Sequence, residues 1–151
     1  MPRFIYEKSV SYRGYLIIPF VLARFEQQSV YSYGLLSQLG DRGDHHRAMN
    51  PASLCSDRLE EVLHIAKNHL QQVSGYEGKF DYFKYRYTYH QHLFVIHGDG
   101  GRWYYDHYLP DRLNNVAAAK MFASHSHCTT WVKQEFDRHH YPTVDLSRNY
   151  E

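Results

Sequence analysis

The chain reads as an α+β protein: two ββα units whose hairpins join into one four-stranded antiparallel sheet, with both helices on one face. Three observations predict this. A β-rich stretch over about residues 12–36 leads through a loop into an amphipathic helix over about residues 56–73. The same order of hairpin, loop and helix returns over about residues 85–108 and 124–138. Each such unit has one apolar face that it cannot bury alone, so the two must share a core. The expected organisation is a single compact domain over residues 1–151, with pseudo-repeat halves at about 9–75 and 79–140 and a polar tail, 141–151, that frays.

The first hairpin takes residues 11–20 and 29–36, both rich in β-branched and aromatic side chains. Glu26-Gln27-Gln28 is the polar bend between them, and Pro19, lacking an N–H, belongs at an edge, a bulge or a strand end. The loop over residues 37–52 contains Gly40, Gly43 and Asn50-Pro51, and its length goes with function or mobility. Leu59, Val62, Leu63, Ala66, Leu70 and Val73 then fall on one helical stripe, started by Ser56 or by Asp57 with Glu60 and closed by Ser74-Gly75. The second hairpin has arms at about residues 87–97 and 102–108, turning at Gly98-Asp99-Gly100-Gly101. Residues 110–122 form a loop with a short helix expected through Val116-Ala117-Ala118-Ala119. In the last helix Cys128, Trp131, Val132, Glu135 and Phe136 share a stripe, behind Ser124 or Ser126 as N-cap. The halves align as Leu16-Ile17-Ile18 with Phe94-Val95-Ile96, Val30-Tyr31 with Trp103-Tyr104, and Ala66-Lys67 with Val132-Lys133.

Composition narrows the function classes. With 43% hydrophobic and 22% charged residues the chain is globular rather than disordered. No run approaches the roughly 18 apolar residues of a membrane span, and the N-terminus has no apolar signal core. Two cysteines are too few for a disulfide framework, which favours a reducing cytoplasm. Residues 1–75 carry 8 basic and 7 acidic side chains and residues 76–151 carry 9 of each, so neither half has the surplus that duplex DNA or anionic lipid demands. The unusual counts are 15 Tyr and 12 His.

Chemistry concentrates in the second half. Residues 84–92 alternate, placing Tyr85, Tyr87 and Tyr89 on one strand face and Lys84, Arg86, His90 and His92 on the other. Aromatics and cations together suit single-stranded nucleic acid, with Lys84, Arg86 and Arg102 as the cationic set, but stacking and phosphate contact work best from one surface. His90, His92, His97 and His107 could converge across the hairpin as metal ligands, although His-x-His alone is a weak signal. Cys128 at a helix start beside His125 and His127 has the setting of a nucleophile, yet its stripe with Trp131 and Phe136 predicts burial; Cys55 reads as inert. Asp44, His45 and His46 cluster in the long loop with nothing to orient them.

The expected function is therefore association without catalysis and without a cofactor. A small domain would pair with a second copy or another protein through a sheet face the helices leave open, or through an edge, with Tyr31, Tyr33, Trp103 and Tyr105 as interface residues. Nucleic-acid binding and a metal-dependent histidine site are the alternatives.

Overall fold

The computed structural model describes residues 3–73, 80–139 and 141. The expected helix end at Ser74-Gly75, the boundary at 75–78 and the tail beyond 141 lie outside them. Each unit has three strands, not two: β1 (Val10–Tyr12), β2 (Tyr15–Phe25), β3 (Gln28–Ser37) and α1 (Leu59–Val73), then β4 (Arg86–Tyr89), β5 (His92–Asp99), β6 (Arg102–Tyr108) and α2 (His125–His139). The additional strands come from two tight turns inside stretches expected to be continuous. Arg13 and Gly14 have φ of 50° and 84°, and His90 and Gln91 have 49° and 71°. Positive φ at both central residues is the type I′ signature, which fits the twist of the flanking strands. His90-Gln91 carries no glycine to announce it.

The expected single four-stranded sheet is corrected to two separate three-stranded antiparallel sheets, β1-β2-β3 and β4-β5-β6. The hairpins do not pair with each other because each closes its last strand with its own loop. Tyr31 and Ser56 exchange both backbone hydrogen bonds, at 2.6 and 3.0 Å, and Trp103 and Phe122 do so at 2.8 and 2.7 Å. Nor are both helices on one face. Leu16, Ile18, Phe20 and Leu36 pack against Leu93, Val95 and Tyr108, so the sheets meet face to face with Phe4, Tyr6, Phe83 and Leu113 in the same core. The outer face of the first sheet lies under α1, through Ile17, Tyr33, Leu35, Val62, Ala66 and Leu70. The outer face of the second lies under α2, through Phe94, Ile96, Tyr105, Cys128, Val132 and Phe136. The layers are helix, sheet, sheet, helix. Every residue of β2 from Tyr15 to Val21 and of β5 from His92 to His97 is buried, as strands covered on both faces must be.

The units match element by element. The helix residues that touch the sheet are Val62, Ala66 and Leu70 in α1 and Cys128, Val132 and Phe136 in α2, at one common spacing. Tyr31 and Trp103 are equivalent, each bridged to a residue three before its helix. Through that register Ile17, not Leu16, corresponds to Phe94, because both face a helix. The expected short helix through residues 116–119 is absent. Its donors go elsewhere: Val116 N–H to the His107 carbonyl at 2.8 Å, and Ala118 N–H to the Tyr105 hydroxyl at 2.9 Å. Among the described residues no helix is long and apolar enough to cross a membrane.

Candidate functional site

The units differ most at one strand edge. In the first, residues ahead of β1 fold back along β2: Phe4 bridges Phe20, and Ile5 N–H reaches the Pro19 carbonyl at 2.8 Å. In the second, residues 82–85 instead form a turn, with Phe83 N–H and Lys84 N–H held by the Asp81 side chain and carbonyl at 3.0 and 3.3 Å. Pairing along that side of β5 stops at Ile96, whose N–H donates to the Tyr85 carbonyl at 2.9 Å. Gly98 is the next residue whose backbone points that way. Its register partner Trp103 directs its own N–H and C=O to Phe122, so Gly98 and Trp103 form a pair without mutual hydrogen bonds. The Gly98 N–H and C=O thus face the open edge, and among the described residues neither has a partner.

A cleft of about 510 Å³ occupies this gap. Its walls are Tyr85 and Trp103 on the helix side, Tyr82 and Tyr104 on the side facing the first sheet, and Phe80 at the mouth. Gly98 shapes it. A Cβ there would stand 2.9 Å from the Trp103 ring, so only glycine lets the indole fold over the strand. Lys84, Asp81 and Asp99 supply charges of both signs around the aromatic walls.

His97 forms the inner wall, 6% exposed, with the Tyr82 ring stacked on it at 3.9 Å between centroids. Its Nε2 lies 2.9 Å from Asp106 Oδ2. Asp106 Oδ1 accepts the Asn115 side-chain amide at 2.9 Å, and Tyr108 OH reaches Oδ2 at 3.5 Å. A carboxylate only accepts, so Nε2 carries a hydrogen, which in a neutral imidazole leaves the lone pair on Nδ1. Burial, and then the Asp106 charge, push the Tyr82 and Tyr108 phenols far above their ordinary range.

The four histidines expected to converge are divided between three places. His92 and His107 meet under α2, with Nδ1 and Nε2 2.8 Å apart. His97 is on the opposite face of the same sheet, since it lies an odd number of residues from His92. His90 is in the β4–β5 turn against Phe136. Among the described residues no group of three or more His, Cys, Asp or Glu is placed to hold a metal ion. Burial holds His92 down to about 4 and His107 to about 3, with the neighbouring imidazoles adding to the effect.

Of the cationic set, Lys84 lies at the cleft mouth, its Nζ 5.5 Å from the Tyr85 centroid. The turn before β4 places it there, so cation and aromatic share one surface after all. Arg86 is engaged structurally: it donates to the Ser9 hydroxyl, the Ser9 carbonyl and the Phe83 carbonyl at 2.9–3.1 Å, and burial lowers its pKa. Arg102 is exposed at the β5–β6 turn opposite Asp99.

The sheet face expected to be open is covered, and the four aromatics assigned to it lie accordingly. Tyr33 is wholly buried under α1 with its hydroxyl 3.2 Å from His69 Nδ1, Tyr105 is buried under α2, and Tyr31 packs at the margin of the α1 core. Trp103, half-buried, lines the cleft. Cys128 is buried, its thiol pushed up to about 11 by desolvation. Cys55 is exposed. Asp44, His45 and His46 diverge: the Asp44 carbonyl accepts the Tyr15 hydroxyl, His45 packs on His69, and His46 Nδ1 accepts the Ser37 N–H.

Sequence reasoning passed over Asp106, Gly98 and Tyr82. Asp106 did carry a signal, as a lone carboxylate inside Trp103-Tyr104-Tyr105-Asp106-His107-Tyr108, where a buried charge requires partners. Comparison with protein families, curated proteins and solved structures gives no significant match to this chain.

Proposed function

We propose that the chain is a binding module which takes an extended segment of a protein partner along the free edge of β5, seating an aromatic side chain of that segment in the cleft. The observation that carries this reading is the coincidence of Gly98 backbone groups, unpaired among the described residues, with a cleft walled by five aromatics. Strand addition supplies hydrogen bonds from the main chain and specificity from the adjoining pocket. Enclosing one aromatic side chain contributes about 2–3 kcal/mol by area, enough for a regulated contact rather than a permanent one. Binding is the favoured reading because the described cleft lining is dominated by aromatic walls, the usual makeup of a pocket that captures an apolar side chain.

The test is selection from a displayed library of random extended peptides, scored against wild type and a Phe80→Ser/Tyr85→Ser variant. These positions are 70% and 49% exposed, so the variant keeps its core. The expected result is a pool rich in aromatics that loses at least about tenfold in affinity for the variant. A pool that binds both proteins equally would contradict the reading. A second copy as partner is read by light scattering, as a dimer that Tyr85→Ser dissociates.

One observation favours a second reading, single-stranded nucleic acid: Lys84 and Tyr85 stand together at the cleft mouth, as phosphate contact and base stacking require. Asp81 and Asp99 beside them oppose it. Oligothymidylate binding at low salt that Tyr85→Ser abolishes would select this reading.

A further inference from the structure

Resting on that reading of the cleft, we infer that it selects a ring carrying a hydrogen-bond donor, a tyrosine side chain foremost, whose O–H donates to Nδ1 of His97. Three observations place an acceptor there. His97 lines the cleft and is nearly enclosed. Asp106 takes the Nε2 hydrogen, which leaves the lone pair on Nδ1, and no described residue hydrogen-bonds to Nδ1. The ring cannot turn away, because Tyr82 stacks on one side of it at 3.9 Å, Tyr104 lies 5.0 Å off, and Asp106 is itself anchored by Asn115.

The consequence is discrimination between near-isosteres. Phenylalanine would fill the same volume but drive water from Nδ1 without replacing its hydrogen bond. Sites with a desolvated polar group reject the ligand that leaves it unmatched more strongly than apolar pockets reject an ill-fitting one. Asp106 is then a positioning residue: it fixes the His97 tautomer and does not touch the occupant.

The experiment titrates the full chain with N-acetyl-tyrosinamide and with N-acetyl-phenylalaninamide, following the Gly98 and Trp103 amides and the His97 ring nitrogens by NMR. The expected result is a preference of about tenfold or more for the tyrosine probe, with the His97 Nδ1 resonance moving only on its addition. Asp106→Asn, which relaxes the tautomer, should reduce the preference while the Gly98 amide still responds. A smaller preference in the wild type, or an unmoved Nδ1 resonance, would overturn the inference and leave the cleft reading standing. No response at Gly98 to either probe would overturn both. The wild-type comparison needs no variant to fold.

Discussion

At the scale of single residues, the buried imidazole pair sets how the fold responds to acid. His92 and His107 are 3% and 5% exposed, and one hydrogen bond joins them. One ring donates and the other accepts, an arrangement that only a neutral or singly protonated pair can keep. The facing groups from the packed elements are His90, His139, Phe136 and Tyr141, and the Asp111 charge partly opposes the downward shift of His92. Both pKa values lie below the ordinary 6.5, at about 4 and about 3, so between 6.5 and these values the unfolded chain binds more protons than the folded one. Stability therefore falls as pH drops below about 6.5 and is lost by a few kcal/mol on approaching pH 4. Urea denaturation at pH 7 and pH 4.5 should show that loss, and His92→Phe should flatten it. An unchanged slope in the variant would assign the acid sensitivity elsewhere. Backbone strain at the β2–β3 turn makes a second prediction. Glu26 and Gln27 hold φ of 49° and 68°, where a side chain costs about 1–2 kcal/mol. Gln27→Gly should raise stability by about 0.5–1 kcal/mol after glycine's entropic cost, measurable in the same denaturation experiment.

Elements were legible in the sequence to the extent that periodicity reported them. The stripe Leu59, Val62, Leu63, Ala66, Leu70 and Val73 announced α1, which buries Val62, Ala66 and Leu70, half-buries Leu59 and Leu63, and leaves Val73 exposed. The turn expected at Gly98-Asp99-Gly100-Gly101 is confined to Gly100 and Gly101, which have positive φ, while Gly98 and Asp99 end β5. What periodicity could not separate was β1 from β2, or β4 from β5. His90-Gln91 is a turn imposed by sheet twist and packing, and no local propensity marks it. The covered faces did leave a trace in Leu16-Ile17-Ile18 and Phe94-Val95-Ile96, unbroken apolar runs at odds with a strand that has one wet face. At the site, the hairpin aromatics were visible in the sequence. Their convergence on Gly98 was not, since it depends on a turn at residues 82–85 replacing a strap. At this scale Leu70→Ala, a truncation at a fully enclosed position, should cost about 2–5 kcal/mol. Gly98→Ala should displace Trp103 from the strand, read as a red-shifted and quenched indole emission with global stability little changed. An unaltered emission spectrum would mean the indole does not lie over Gly98.

The whole molecule is held together through the middle. The central core draws on both sheets and on Phe4 and Leu113 from outside them. Hydrogen bonds from Arg86 to Ser9 and from Ser11 to Asp81 join one unit to the other. Each unit has buried its outer face under its own helix, so in the proposed reading a partner would meet an edge. On the β2 side that edge is strapped by Phe4 and Ile5; on the β5 side no described residue pairs with it at Gly98. Amide hydrogen exchange, residue by residue, measures this difference directly. The Gly98 amide should exchange orders of magnitude faster than that of Val95, whose N–H lies inside the β5–β6 ladder, and a bound tyrosine-bearing segment should slow it. A Gly98 amide as protected as Val95 in the free protein would mean that the edge is already paired, and would contradict the binding reading at its base.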